Sequence, residues 1–320
     1  MEKSSGSFVL SLDAELGWGF HDHPSPPMDR LNGARDGWRT LRQLTEQYEI
    51  PATWAVVGHL LLGECDGRHP THPLGPEWFG REHGDWHHRP DLRFGSDLVE
   101  AVLDSSVDHD IGCHTFSHVN FDDERVDRTV VEAELDAAFE VAREYGIEYD
   151  SFVFPRNAVE YRDLVAAYGF KTYRPKRPQP AKLRRRFEKL CSVADPSQLG
   201  LVTPEIDEYG MVAIPPSLFL FGFQGKLRRT LDSIWVDPIV RLVTAGIDRA
   251  IRENGLFHVW LHPNDIRTER DVNRLKTLFE YVDDCRDRGL RVETMADVAK
   301  RCAPDSDGHS VCKTKHRKLQ

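Results

Sequence analysis

The stretch Asp110-Ile-Gly-Cys-His-Thr-Phe-Ser-His118 joins a short apolar run to two histidines four residues apart. The apolar run predicts the end of a buried strand. If the backbone turns helical after this strand, His114 and His118 lie on one face, about one turn apart. Two imidazoles at that spacing suit a borderline metal ion such as Zn²⁺. The chain has 15 histidines, so about one such pair is expected by chance. Whether this pair binds a metal ion must therefore be judged from the surrounding residues.

Two other histidine pairs have the same spacing, His83/His87 and His258/His262. His258 falls inside a predicted strand, so its pairing with His262 lacks the geometry of a helical turn. The first pair lies in a long segment, 63–90, that is rich in Gly, Pro, His and Trp. Segments of this kind are often functional loops or lids. We interpret this one as a solvated insertion, with contact to a ligand as the alternative.

Length and composition indicate a globular protein. A chain of 320 residues can bury a large core and suits one α/β barrel or two smaller domains. The mean hydropathy is −0.51, and the longest apolar runs fall far short of the ~20 residues of a membrane span. The N-terminus lacks the apolar region of a signal peptide, so we expect a cytoplasmic protein. The net charge of −10 disfavours a nucleic-acid partner.

The cysteines are scattered along the chain and form no Cys-x-x-Cys pair. There are six of them: Cys65, Cys113, Cys191, Cys285, Cys302 and Cys312. This pattern predicts reduced, mostly structural thiols rather than a disulfide framework.

Predicted strands and helices alternate along most of the chain. Strands are predicted at 7–12, 52–57, 109–113, 151–154, 170–173, 211–215, 256–261 and 290–294. Helices are predicted at 36–48, 97–107, 124–145, 159–168, 237–254, 268–288 and 295–302. This order predicts a parallel sheet or barrel in one domain. The domain spans 1–302, with inserted loops near 63–90 and 174–225 and a mobile polar tail at 303–320.

Charged and imidazole side chains follow several of the predicted strands. Asp13 and Glu15 close the first strand, and because side chains alternate along a strand they point to the same side. Two carboxylates on one face are tolerated when solvent or a cation separates them, so surface exposure and a cation site are both open. His114, His118 and Arg156 also fall at or just beyond strand ends. Chemistry in parallel barrels collects at these ends, which favours a functional site.

Five stretches, taken in order, resemble the motifs of the polysaccharide deacetylase family, the NodB-type deacetylases of carbohydrate esterase family 4. They are Ser11-Leu-Asp-Ala-Glu15, Ala52-Thr-Trp-Ala-Val-Val-Gly58, His114-Thr-Phe-Ser-His118, Phe154-Pro-Arg-Asn157 and Val259-Trp-Leu-His262. The first stands where the family has Thr-Phe-Asp-Asp, and the third has the form His-(Ser/Thr)-x-x-His. The likeness extends from Phe8 to Ala299. It implies a single-domain, distorted (β/α) barrel of about seven strands.

The resemblance also implies a divalent metal ion held by an Asp-His-His set, with Zn²⁺ favoured over Co²⁺ or another ion. Ala14 stands where the family has its metal-binding second Asp, and Glu15 can replace it because the Asp-x-acid spacing keeps both carboxylates on one side. The implied metal ligands are Glu15, His114 and His118. The family's own motif with an Arg near a Pro is shortened and reordered here around Arg156, and Asp232 with Trp235 is the candidate for the family motif in which an Asp precedes a Trp.

The catalytic roles implied by the resemblance are those of amide hydrolysis. Asp13 would be the general base, Arg156 would keep Asp13 ionised by its opposite charge, and His262 would protonate the departing amine. Candidate substrate contacts are Trp18, Trp86 and Asn157. Trp54 and Trp260 are also aromatic candidates, but core packing is the favoured interpretation for both.

Three functions are open at this point. The first is a metal-dependent hydrolase that removes an N-acetyl group from an acetylated sugar or polysaccharide precursor. The second keeps the barrel and the metal but cleaves another C–N bond, as ureide and formamide hydrolases do. The third is a saccharide-binding relative without catalysis, which the presence of Ala14 motivates.

Overall fold

The structure is a computed structural model that describes residues 6–82, 86–176, 200–222, 237–303 and 312–314. Four residues named above lie outside these ranges: His83, Cys191, Asp232 and Trp235.

The strands are β1 Ser7–Ala14, β2 Thr53–Val56, β3 Asp110–Cys113, β4 Ser151–Val153, β5 Thr172–Arg174, β6 Glu205–Ile206, β7 Val212–Ala213, β8 Leu218–Phe219, β9 Leu256–Leu261, β10 Arg291–Glu293 and β11 Lys313–Thr314. The helices are α1 Met28–Leu31, α2 Ala34–Gln47, α3 Gly75–Phe79, α4 Pro90–Arg93, α5 Ser96–Leu103, α6 Arg128–Glu144, α7 Arg162–Ala167, α8 Pro238–Glu253, α9 Glu269–Asp284 and α10 Met295–Cys302. No helix in the described ranges is both long and apolar enough to cross a lipid bilayer.

All eleven strands belong to one sheet, which curls into a half-barrel. The order is β11-β6-β7-β5-β4-β3-β2-β1-β9-β8, with β10 also paired to β1. Neighbouring strands are parallel except for β6 and β7. The predicted distorted (β/α) barrel in a single domain is therefore confirmed, although the sheet has eleven strands among the described residues rather than about seven. The short strands β6, β8 and β11 are additions that no sequence pattern predicted.

The first strand, β1, is central because it pairs with β2, β9 and β10. All eight of its residues are buried, as expected for a parallel strand covered on both faces. Leu10, Leu12 and Ala14 join the larger hydrophobic core, whereas Val9 belongs to a separate, smaller cluster. Because side chains alternate, Asp13 shares the face of Val9 and points away from the larger core.

Two predictions about the loops and cysteines need correction. The segment 63–90 is solvated only in part: His87 and His88 are exposed, whereas Trp78, Phe79 and Trp86 are buried against the larger core. Cys302 and Cys312 form a disulfide, so the prediction of reduced thiols is wrong for this pair. The reason is that β11 returns to the sheet and pairs with β6, which brings part of the predicted mobile tail back to the end of α10.

Candidate active site

The carboxyl end of β1 places two carboxylates inside the protein. Asp13 and Glu15 are each 4% exposed, and Ala14 between them is fully buried in the larger core. Gly19 makes room for the second carboxylate, because a Cβ at this position would lie 2.1 Å from Oε1 of Glu15. A side chain at residue 19 would therefore displace the Glu15 carboxylate from its present position.

The loop after β3 carries both predicted histidine ligands, but it is not helical. Thr115 and His118 have φ angles of 61° and 60°, in the left-handed region that residues other than glycine rarely adopt. The amides of Gly58 and His59 donate to carbonyls of this loop at 2.9 and 2.8 Å and hold it in place. The predicted helical turn is thus wrong. The two rings nevertheless meet, because the centroids of His114 and His118 are 5.0 Å apart.

Glu15, His114 and His118 form a buried cluster of metal-ligand type. Oε2 of Glu15 lies 3.0 Å from Nε2 of His118 and 3.7 Å from Nε2 of His114. Nδ1 of His114 lies 2.6 Å from the carbonyl oxygen of Val153. Since a carbonyl only accepts, Nδ1 carries the proton and Nε2 presents its lone pair to the cluster. That Nε2 has no hydrogen-bond partner among the described residues, so the three side chains fit a borderline divalent ion.

The charges within the cluster favour metal binding. Burial alone would raise the pKa of Glu15, but the charge on His262 and the contacts with His114 and His118 outweigh it and hold this pKa well below its ordinary value. Burial lowers the pKa of His118 and outweighs the hydrogen bond and the negative charge of Glu15, which act to raise this pKa. An ionised carboxylate and neutral imidazoles are the forms that bind metal ions.

Arg174, and not Arg156, is the partner of Asp13. Nη1 and Nη2 of Arg174 donate to the two carboxylate oxygens of Asp13 at 2.6 and 2.7 Å, and the guanidinium is fully buried. Burial would raise the pKa of Asp13, but the charge and hydrogen bonds of Arg174 outweigh it, and the pKa lies below its ordinary value. Arg174 ends β5. It lay just beyond the strand predicted at 170–173, and its strand-end position is the signal that could have identified it.

Arg156 lies near the surface, so its predicted contact with Asp13 is wrong. Its side chain is 46% exposed, and Nη2 donates to Oδ1 of Asp22 at 2.5 Å. The φ angles of 53° at Arg156 and 55° at Asn157 turn the chain sharply after β4, and this turn brings Arg156 to Asp22. Asn157, a predicted substrate contact, accepts a hydrogen bond from Nε of Arg174 at 3.2 Å and so helps to position that arginine.

His262 faces both carboxylates, and Asp265 orients it. Nε2 of His262 lies 3.8 Å from Oδ2 of Asp13 and 3.8 Å from Oε1 of Glu15. Nδ1 donates to Oδ2 of Asp265 at 3.0 Å, and Arg30 pairs with the other oxygen of Asp265. Burial opposes the imidazolium, but the charges of Glu15, Asp265 and Asp13 outweigh it and raise the pKa of His262. Asp265 was not among the predicted site residues, although it follows His262 in the same short turn.

The two tryptophans that were predicted to contact a sugar are core residues. Trp18 is fully buried, stacks on His21 at 4.6 Å and has the guanidinium of Arg93 over its ring at 3.5 Å. Trp86 is 4% exposed and lies 5.3 Å from the same guanidinium. Neither ring offers a face to a ligand, so both predicted contacts are wrong.

Trp260 is half-buried and lies beside the site. Its ring centroid is 5.3 Å from that of His262 and 4.4 Å from that of Phe219. The guanidinium of Arg174 lies 4.4 Å from the Trp260 ring. Trp260 therefore forms an apolar wall that shields the Arg174–Asp13 ion pair from water, which strengthens the attraction between the two charges.

Three solved structures share the fold and most of the length of this chain. A protein from Mycobacterium smegmatis named as a polysaccharide deacetylase is 14% identical, with a TM-score of 0.61, covering 100% of this chain and 97% of its own. The Puue allantoinase is 13% identical, with a TM-score of 0.58 and coverages of 94% and 91%. A protein from Pseudomonas aeruginosa PAO1 named as a polysaccharide deacetylase is 13% identical, with a TM-score of 0.54 and coverages of 92% and 89%.

These similarities show the fold that the sequence motifs implied. At such low identity they do not show a shared activity, because one fold can carry several chemistries. Neither a protein-family model nor a curated protein sequence matches the chain.

Proposed function

We propose that this chain is a metal-dependent hydrolase that removes the N-acetyl group from an acetylated saccharide. The observation that carries the proposal is the position of His262 relative to two buried carboxylates, 3.8 Å from Asp13 and 3.8 Å from Glu15. One of these carboxylates is bound to an arginine, and the other is part of a metal-ligand set. The fold shared with proteins named as polysaccharide deacetylases supports an acetylated saccharide as the substrate.

Hydrolysis of an amide has two requirements that water alone does not meet. Water is a weak nucleophile at neutral pH, and an amine leaves poorly unless it is protonated. Glu15, His114 and His118 would hold a Zn²⁺ ion, which would supply the Lewis acidity that acidifies water and polarises the acetyl carbonyl. A base and an acid must then lie on either side of the reacting carbon.

Asp13 and His262 take these two roles in the proposal. Asp13 accepts a proton from the attacking water while the oxygen of that water bonds to the acetyl carbon. Arg174 keeps Asp13 ionised so that it can act as the base. His262 then gives its proton to the nitrogen as the C–N bond breaks, which releases acetate and the free amine. The raised pKa of His262 keeps that proton available near neutral pH.

The proposal is tested by measuring acetate release from N-acetylglucosamine oligomers by the Zn²⁺-loaded protein. We expect acetate release that stops after removal of the metal with a chelator and returns when Zn²⁺ is added. Allantoin and small formamides are the comparison substrates, because an allantoinase has the same fold. Cleavage of a ureide or formamide without any acetate release would favour the second hypothesis. Saccharide binding without turnover of any substrate would favour the third.

Replacing Asp265 with Asn is expected to move the alkaline limb of the kcat/KM profile to lower pH. His262 acts in its protonated form, and the Asp265 carboxylate is one of the charges that raise its pKa. Without this charge the pKa of His262 falls, so the acid loses its proton at a lower pH and activity declines earlier as pH rises. The measurement is the pH dependence of kcat/KM for acetate release.

Asp265→Glu is the matched variant, because it keeps the negative charge beside Nδ1 of His262. We expect it to restore part of the alkaline activity. If Asp265→Asn lowered kcat/KM equally at every pH, Asp265 would have a structural role through Arg30 rather than an electrostatic effect on His262.

A further inference from the structure

A second group of metal-ligand side chains lies apart from the site described above. One ligand atom each of His59, Cys65 and His69 lies within 4.8 Å of the other two. Sγ of Cys65 is 3.1 Å from Nε2 of His69. This group shares no residue with the Glu15 cluster, and the proposed deacetylation uses none of its three side chains.

The environment of His59 points to a ligand. The imidazole is fully buried, and while the backbone carbonyl of Arg93 lies near one ring nitrogen, the other has no hydrogen-bond partner among the described residues. A buried polar group without a partner is destabilising unless something else satisfies it. The rings of Trp18 and Phe116 lie 4.3 and 5.3 Å from the imidazole and fix its position.

The donor set indicates which ions would bind. One thiolate and two imidazoles suit Zn²⁺, whereas Mg²⁺ and Ca²⁺ prefer oxygen ligands. Tetrahedral Zn²⁺, with bonds of about 2.0–2.3 Å, places its donor atoms about 3.5 Å apart. The 3.1 Å between Cys65 and His69 is close to that spacing. Cys65 is only half-buried, so its thiol can lose a proton to solvent when the metal binds.

We propose that His59, Cys65 and His69 hold a second Zn²⁺ ion, with water as the fourth ligand of a tetrahedral site. His59 lies in the short helix Gly58–Leu61 after β2, whereas Cys65 and His69 belong to the segment that leads to α3. The ion therefore ties this segment to the barrel. It also supports the loop that carries His114 and His118, because the ring of Phe116 lies 5.3 Å from the rings of both His59 and His69.

The first test is the metal content of untagged protein after reconstitution with Zn²⁺ and removal of excess metal. The wild-type protein is expected to retain two equivalents. Cys65→Ser and His118→Ala are each expected to retain one, and the protein with both substitutions none. A wild-type protein that retains a single equivalent, with Cys65→Ser unchanged from it, would overturn the proposal.

The second test uses Co²⁺, because a cobalt–thiolate bond gives a charge-transfer absorption band in the near ultraviolet that imidazole and carboxylate ligands do not give. We expect the band in the wild-type protein and in His118→Ala, and its loss in Cys65→Ser. Cys285→Ser is the matched control, since it removes a buried thiol outside the cluster, and it should keep the band. His69→Gln keeps the thiol but removes an imidazole ligand. We expect it to weaken the band, which would show that the site needs this imidazole.

The outcome of the cobalt test does not depend on the proposed deacetylation. A band that requires Cys65 in a protein that releases no acetate would support the second ion while removing the proposed function. A band that persists in Cys65→Ser, or that is absent from folded wild-type protein loaded with Co²⁺, would overturn the second ion and leave the proposed function intact. Circular dichroism of each variant establishes that it is folded.

Discussion

The Asp13→Asn variant is expected to lose about 10²–10⁴-fold in kcat for acetate release while it retains the ion bound by Glu15, His114 and His118. Asp13 is the carboxylate that takes a proton from water in the proposed reaction, and an amide at this position cannot do so. Asp13 is also outside the set of three side chains whose ligand atoms cluster. The measurement therefore combines steady-state kinetics with the zinc content of the same sample.

Asp163→Asn is the control for the removal of a carboxylate that is bound to an arginine. Asp163 pairs with Arg128 at 2.6 Å, the same distance as the Asp13–Arg174 pair, but on the surface and outside the active site. We expect its kcat to match the wild-type value. Loss of zinc from Asp13→Asn would make Asp13 a ligand, and an almost unchanged kcat with full zinc content would mean that another group is the base.

The parts of the site at the ends of β1, β3 and β9 could be located from the sequence because they depend on local geometry. Alternation along a strand places Asp13 and Glu15 on one side whatever the rest of the chain does. A buried parallel strand also has a recognisable composition, so the strand ends that carry His114 and His262 were found within one residue. These short-range rules placed the two carboxylates on one side and the histidines at strand ends, and the resemblance to the deacetylase family implied which of them meet.

The arginine partner could not be predicted because it depends on contacts between distant segments. Arg174 ends β5 and Arg156 lies just beyond β4, so position at a strand end makes both arginines candidates and does not distinguish the buried guanidinium from the exposed one. Which arginine is buried beside Asp13 depends on the left-handed backbone conformation of Arg156 and Asn157 after β4. It also depends on the packing of Trp260 over Arg174. Arg156 then turns to Asp22 at the surface.

The tryptophans were misassigned for a related reason. A tryptophan beside a catalytic motif is the residue type expected at a sugar-binding site. The residue type does not reveal whether the side chain is buried. Trp18 is enclosed by His21, His59 and Arg93. Two of these come from segments far along the chain, so their approach is a property of the folded barrel.

Replacing Arg174 with Met is expected to lower the free energy of unfolding by about 3–5 kcal/mol, because it leaves the Asp13 carboxylate buried without its counter-charge. Both side chains of this pair are almost completely buried. Arg128→Met is the control, since it breaks an equally short arginine–aspartate contact between side chains that are 55% and 40% exposed. Water replaces the arginine in the control, and little stability should be lost. Urea denaturation of both variants gives the comparison.

The pH dependence of this loss has a definite sign. Arg174 lowers the pKa of Asp13 in the folded protein, so the stability from the pair is present above the ordinary pKa of an aspartate and is lost as pH falls through the lowered value. In Arg174→Met burial raises the pKa of Asp13, and the folded variant takes up a proton at higher pH. The difference in stability between wild type and variant should therefore shrink as the solution is made acid. The acid limb of kcat/KM should move to higher pH in the variant.

A double variant separates the charge of Arg174 from its packing. Asp13→Asn alone leaves the Arg174 guanidinium buried without a counter-charge, and Arg174→Met alone does the same to the Asp13 carboxylate. The two changes together leave neither charge buried. We expect the double variant to be more stable than the sum of the single losses predicts, and Arg174→Lys to recover part of the loss because it keeps a positive charge. If the loss of stability of the double variant equalled the sum of the two single losses, Arg174 would stabilise the barrel through its contacts with Ser11, Asn157 and Trp260. In that case the ionised state of Asp13 would need another source of positive charge.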